Sequence, residues 1–138
     1  MLDLIDALAA LRARNEPVPR PPRLPSPAEL EAMERDIGQP IPDDLRLYLL
    51  QASDVTVGAL EPITITDPSA HTHLPRVLAD ARASGVPPRW FPFCLDNGDF
   101  FCVGPDSRVH FWSHDGTSTE EWASLAEWIE RCWLGERD

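Results

Sequence analysis

Hydrophobic positions along the chain follow two periods, one helical and one typical of strands. Near the amino terminus Leu4, Ile5, Leu8 and Leu11 lie at helical spacing, which predicts a short amphipathic helix over residues 2–14. The clearest helical pattern is the last one, which Ser124 opens as the first residue of a capping box. Its apolar residues share one face: Leu125, Trp128, Ile129, Cys132 and Trp133.

Two more helices are predicted in the first half of the chain. Ser26 is a helix cap with Glu29 completing a capping box, and Gly38 is placed to end that helix. Asp43 and Asp44 suit the positive end of the next helix. The buried face of that helix is predicted to consist of Leu45, Tyr48, Leu49 and Ala52.

The middle of the chain is less regular. Residues 55–58 and 63–66 are short β-prone runs. Asp67, followed by a proline, is a plausible cap for a helix over residues 70–84 that ends at Gly85.

Strand-type alternation dominates residues 92–112. Asn97-Gly98 separates two apolar runs, which is the strongest short-range signal of a two-residue type I′ hairpin. The expected register places Asp96 opposite Asp99, Leu95 opposite Phe100, Cys94 opposite Phe101 and Phe93 opposite Cys102. A second turn at residues 104–107 leads into a third strand, residues 109–112, so the pattern predicts an antiparallel meander.

The order of elements predicts a single α+β domain, with several helices packed on an antiparallel sheet that ends in this meander. Six prolines fall within residues 17–27, which predicts an extended strap without helix or central strand. We therefore divide the chain into residues 1–25, a helix and strap, and residues 26–138, the α+β domain.

The net charge limits the class of molecule that the chain is expected to bind. The net charge is −11, there is no lysine, and residues 26–138 carry eight arginines against twenty acidic residues, a net of −12. Such a domain is repelled by phosphate backbones, which argues against nucleic-acid binding, and it attracts basic proteins. Simple solubility would also account for the charge.

Motifs for catalysis are missing from the sequence. It has no nucleophile elbow, phosphate-binding loop or dinucleotide fingerprint. His71 and His73 offer a weak metal pair, and Cys94 with His110 a weak nucleophile–base pair. We expect neither to act, and hence no enzymatic activity, no metal and no cofactor.

The three cysteines lack the number and spacing of a disulfide framework or a zinc site, so we expect them to be small buried residues. No apolar run is long enough to span a membrane, and the amino terminus does not resemble a secretory signal. The expectation is a cytoplasmic protein without membrane contact.

The best candidates for partner binding lie at the hairpin tip and the exit of the third strand. They are Asp96, Asp99, Trp112, His114 and Asp115. Aromatic residues flanked by acids are common in binding hot spots, and Asp115 is placed to orient His114. Two plainer interpretations stay open: the tip is merely solvated, with Asp96 capping its own turn, and Trp112 belongs to the core.

Three motifs in the right order resemble the SUKH superfamily, typified by the fungal cell-wall-assembly regulator. The first is Ile37-Gly38, then Ile41-Pro42-Asp43-Asp44-Leu45 and Tyr48-Leu49. The second runs from Pro92-Phe93-Cys94 through Asn97-Gly98-Asp99-Phe100-Phe101. The third covers residues 109–115 and 124–133. The resemblance spans about residues 26–134; the amino-terminal helix and strap lie outside it, and residues 59–88 show no family pattern.

This resemblance implies a non-enzymatic α+β domain. Bacterial members are mostly immunity proteins that neutralise a cognate toxin, often a nuclease, by direct binding. Nuclease toxins are commonly basic, which suits the acidic charge of this chain. The alternative within the family is a regulatory adaptor that binds a cellular protein without any toxin.

Overall fold

Helices precede and follow a meander in the computed structural model, which describes residues 3–116 and 118–135. The helices are α1 (Leu4–Ala13), α2 (Pro27–Ile37), α3 (Asp43–Ala52), α4 (Leu74–Ser84) and α5 (Leu125–Trp128), the last continuing as a π-helix (Ile129–Trp133). The strands are β1 (Glu61–Pro62), β2 (Phe91–Asp96), β3 (Asp99–Val103), β4 (Val109–Trp112) and β5 (Glu121–Trp122). The predicted α+β class is confirmed.

The five strands form one antiparallel sheet in the order β1-β2-β3-β4-β5. The side chains of successive residues in a strand point to opposite faces of the sheet, so those of Phe101 and Cys102 lie on opposite faces. Phe101 packs on Trp128 of α5, with ring centroids 5.1 Å apart. On the other side α4 packs along β2, and Gly85, which ends α4, lies against the Trp112 indole. The sheet therefore has helices on both faces.

The amino-terminal helix shares the core of the remaining chain. Ala7, Leu8 and Leu11 are buried, and α1 packs against α3, α5 and the π-helix. The strap that follows contains no helix or strand, and Glu16 donates its N–H to the Thr56 carbonyl at 2.7 Å. The domain boundary after residue 25 stays a prediction, although α1 contributes to the same core as the rest.

The local sequence signals for α2 and α3 predicted these two helices correctly. Ser26 accepts from the Glu29 N–H, and Glu29 returns a hydrogen bond to the Ser26 N–H, which completes the predicted capping box. Gly38 ends α2 in the left-handed conformation with φ 74°. The predicted apolar face of α3 is buried throughout.

The prediction for residues 55–84 was partly wrong. Residues 55–58 form no strand, and residues 63–66 contribute only an isolated bridge between Thr64 and His73. Their alternating apolar residues are nevertheless buried in the core, and the Ile63 N–H donates to the Phe93 carbonyl of β2 at 2.8 Å. The helix begins at Leu74 rather than at residue 70, because Asp67 caps a turn through the Ser69 N–H at 2.9 Å instead of capping the helix.

The hairpin register is correct at its tip and wrong at its base. Asp96, Leu95 and Cys94 pair as predicted, but Cys102 faces Pro92, because a bulge makes Phe93 an extra residue in β2. A bulge turns the following side chains relative to the partner strand. As a result Phe93 packs edge-on against Trp128, at 4.8 Å between ring centroids.

The last helix has the predicted buried face but not the predicted geometry. Ser124 accepts from the Glu127 N–H at 3.1 Å, whereas the Glu127 carboxylate accepts from Ala123, so the reciprocal half of the capping box is shifted by one residue. After Trp128 the chain winds as a π-helix, and the Leu134 N–H donates to the Ile129 carbonyl at 2.8 Å.

Candidate protein-binding surface

The acidic excess is concentrated in the part of the chain that contains the meander and the start of the last helix. Residues 1–89, the first segment, contain thirteen acidic residues and nine arginines, a net of −4. Residues 90–130, the meander segment, contain eight acidic residues and a single arginine, a net of −7. That arginine, Arg108, is engaged with Glu121 at 2.9 Å. The meander segment therefore carries most of the net negative charge, −7 of −11, in less than a third of the chain.

The hairpin tip places two carboxylates side by side. Asn97 and Gly98 both have positive φ, 52° and 89°, as a type I′ turn requires. Asp96 and Asp99 are therefore direct partners across the strands. Among the described residues, none is hydrogen-bonded to the Asp96 side chain, so this carboxylate does not cap the turn.

The carboxylate of Asp99 is hydrogen-bonded to His114. The Asp99 Oδ1 atom accepts the His114 backbone N–H at 3.0 Å and lies 2.5 Å from the ring Nδ1. On the other side of the ring, Nε2 lies 3.3 Å from the Asp115 carboxylate. The hydrogen bond with Asp99, followed by the charges of Asp115 and Asp99, raises the pKa of His114. The prediction had paired His114 with Asp115; the structure adds Asp99, which is 17% exposed, as the closer partner.

Trp112 is half-buried: it packs against the edge of the core and also lines the protein surface. Its ring packs on Phe100 at 5.9 Å between centroids, while Trp112 and His114 together line an open groove of about 390 Å³. Trp90 and Phe111, also half-buried, line this groove as well. The structure thus joins Asp96, Asp99, Trp112, His114 and Asp115 into one contiguous region, which we call the tip surface.

A second histidine site was not singled out from the sequence. His110 stacks on Trp90, with ring centroids 4.7 Å apart and planes 11° from parallel. Its two ring nitrogens lie 3.6 Å from Asp106 and 3.7 Å from Glu121. The alternation of His110 and Trp112 along β4 was visible in the sequence, but nothing local indicated that Trp90 would reach them.

The weak catalytic pair is separated by the sheet. Cys94 faces Phe101, whereas His110 faces Cys102, so the thiol and the imidazole lie on opposite faces. All three cysteines are buried and free, as predicted. Burial raises the pKa of the Cys102 thiol to about 12 and that of Cys94 well above its usual range. Such thiols are poor nucleophiles.

His71 and His73, the weak metal-binding pair, make separate contacts in the structure. His71 pairs with Glu61 on β1, and His73 precedes α4 with its backbone in the Thr64 bridge. Within residues 3–116 and 118–135, no group of three or more metal-ligating side chains converges. None of the helices in those same ranges is both long and apolar enough to cross a membrane.

These features define a small α+β domain whose sheet presents an acidic, aromatic surface. The chain belongs to the SUKH superfamily: a family model described as "SMI1-KNR4 cell-wall" (SUKH_5) matches residues 1–134. The match includes the amino-terminal helix and strap, which the motif comparison had placed outside the resemblance.

A solved structure has a similar fold and a related sequence. It is described as "Crystal structure of protein from Pseudomonas syringae pv. tomato" and is 41% identical to this chain, with a TM-score of 0.89. The similarity covers 94% of this chain and 98% of that one. A search of curated proteins gave no match.

Proposed function

We propose that this chain is an immunity-type protein that binds a basic, nuclease-type toxin through the tip surface and so neutralises it. The observation that carries the proposal is the net charge of −7 on residues 90–130, a segment that also supplies the half-buried aromatic side chains of the tip surface. Family membership supports a binding role rather than catalysis.

The tip surface has the composition of a binding site. Aromatic groups supply buried contact area, and carboxylates around them supply orientation and a faster encounter with a cationic partner. Asp96 and Asp115 are open to such a partner; the Asp115 side chain is 83% exposed. We expect Asp99 and His114 to fix the geometry of the surface as well as contribute charge.

The direct test is co-expression with the product of the adjacent reading frame. If that product stops growth alone and this chain restores growth, while the two proteins co-purify, the proposal holds. If the neighbouring product is harmless, the toxin assignment fails and the second candidate, a regulatory adaptor for a cellular protein, takes its place. The family to which the chain belongs favours that candidate next.

The proposed surface is tested separately by charge reversal. Asp96→Arg with Asp99→Arg should weaken binding strongly. Because Asp99→Arg also removes the hydrogen bonds to His114, Asp96→Arg with Asp115→Arg serves as a second variant. Binding that is unchanged in both double variants would exclude the tip surface.

A further inference from the structure

The groove that Trp112 and His114 line combines aromatic side chains with a nearby pair of carboxylates. Its lining includes Trp90, Phe111 and Trp112, and its volume is about 390 Å³. The Phe111 ring packs on Phe101 on the other face of the sheet, so the indoles of Trp90 and Trp112 are the aromatic walls of the groove. Aromatic faces attract cations, and arginine is the cation that most often stacks on them. Among the described lining residues the only ionisable one is His114, so the groove holds no fixed cation of its own.

Two carboxylates flank the His114 ring, the ionisable group among the described residues that line this groove. Asp99 lies 2.5 Å from one nitrogen of the His114 ring and Asp115 lies 3.3 Å from the other. The ring itself lines the groove. His114 therefore occupies the place of a planar cation between two carboxylates, beside aromatic walls.

We propose that this groove receives an arginine side chain of the protein partner, which stacks on the indole of Trp112 or Trp90 and pairs with Asp99 and Asp115 in place of His114. The proposal rests on the proposed function for the identity of the partner as a basic protein. Arginine is favoured over lysine because its planar, forked guanidinium suits both stacking and two-carboxylate pairing.

A pH dependence follows from this arrangement. In the described part of the chain, the charged groups within ion-pair distance of His114 are Asp99 from β3 and Asp115 from the loop after β4. Protonated His114 neutralises these carboxylates and repels an incoming guanidinium. The imidazole becomes neutral as the pH rises through its raised pKa. Arginine binding should therefore tighten between about pH 6 and about pH 8.

The test needs no toxin. The full chain, labelled with ¹⁵N at its tryptophan indoles, is titrated with N-acetyl-Gly-Arg-Gly-amide at low salt, and the signals are assigned with Trp90→Phe and Trp112→Phe. We expect saturable shifts of the Trp90 and Trp112 signals, larger at the higher pH. The same peptide with citrulline, which is isosteric but uncharged, should leave them in place.

Matched variants separate the two carboxylates from general charge. Asp99→Asn and Asp115→Asn should each weaken peptide binding by about two- to fivefold, the range of an exposed ion pair. Asp96→Asn, which removes one charge from the same hairpin tip without touching His114, should weaken it less. His114→Gln should retain binding at high pH and lose the pH dependence.

The proposal is overturned if citrulline and arginine peptides shift the indoles alike, if no indole of the groove responds, or if Asp96→Asn weakens binding as much as Asp99→Asn and Asp115→Asn do. These outcomes are distinct from failure of the proposed function. A groove that binds arginine beside a harmless neighbouring gene product refutes the toxin alone. A neutralised toxin whose binding survives Trp112→Ala and Asp115→Asn refutes the groove alone.

Discussion

The two segments of the chain neutralise their carboxylates in different ways. In residues 1–89 arginines do most of this, in the pairs Arg12–Asp54, Arg23–Glu29 and Arg46–Glu34, and His71 pairs with Glu61. In residues 90–130 Glu121 pairs with Arg108 and Glu127 with Arg131, and the hairpin tip and its surroundings depend on two histidines. These are His114, with Asp99 and Asp115, and His110, with Asp106 and Glu121.

This difference separates fixed from conditional charge compensation. A guanidinium stays protonated throughout the accessible pH range, whereas an imidazole loses its charge near neutrality. The arginine pairs therefore serve the fold at every physiological pH. The carboxylates beside His114 become available to an external cation once that imidazole is neutral, which is why we place the binding surface on the meander.

The largest expected effect breaks the core that both segments share. Trp128 is 1% exposed and packs on Phe93, Phe101 and Trp133. Trp128→Ala should cost about 3–5 kcal/mol, a large part of the total stability of a domain, and leave the protein at or near unfolding. Urea or thermal denaturation measures it.

Trp128→Phe is the matched control. Within the described residues the indole N–H of Trp128 has no hydrogen-bond partner, so the smaller ring forfeits packing but no hydrogen bond. It should destabilise the protein much less than alanine does. A melting temperature that barely moves in Trp128→Ala would refute the assigned packing of α5.

A smaller effect is expected at the start of α2. Ser26→Ala removes a side-chain cap from the Glu29 N–H and should cost about 1 kcal/mol. Ser26→Gly, which also lacks the hydroxyl but is tolerated at this position, should cost only a few tenths of a kcal/mol. A Ser26→Ala variant as stable as the parent would mean that the hydroxyl cap contributes nothing.

The success at α2 and the failures elsewhere share a physical cause. The Ser26 cap and the Asn97-Gly98 turn are determined within a few residues, so their signals are local and were interpreted correctly. The bulge at Phe93 depends on Trp128, which lies 35 positions further along the chain, and the Asp99–His114 contact joins residues 15 apart. Contacts between residues this far apart in the sequence are set by tertiary packing, which outweighs local conformational preference.

Two smaller effects sharpen the comparison of charge compensation. In the meander segment, the raised pKa of His114 adds stability that is fully present below about pH 6.5 and is lost as the pH rises through the folded-state value. His114→Gln should remove this part. The stability difference between parent and variant should be largest near pH 6 and shrink towards alkaline pH; a difference that is flat or reversed would contradict the pairing.

In the first segment the corresponding effect lies at acid pH. The hydrogen bond from Arg23 lowers the pKa of Glu29 to about 2, so its stabilisation is present above about pH 4.5 and is lost as the pH falls towards that value. Arg23→Gln should be slightly less stable than the parent from about pH 4.5 upwards, and the difference should vanish as the pH falls towards 2. Both groups are solvent-exposed, so we expect the smallest effect of the series here. A parent–variant difference that changes across the neutral range, as expected for His114, would show that the two segments do not differ in this way.

The central claim is that the position of the negative charge on the meander, rather than its total, selects the partner. Stopped-flow association with the co-purified partner at several salt concentrations tests it with two variants of identical net charge. One is Asp96→Arg with Asp99→Arg; the other is Glu31→Arg with Asp36→Arg, two exposed positions on α2.

We predict that the tip variant associates far more slowly than the parent at low salt and loses most of the salt dependence. The α2 variant should stay close to the parent in both respects, because steering depends on charge near the contact surface. Equal slowing in the two variants, or an unchanged rate in the tip variant, would contradict the account.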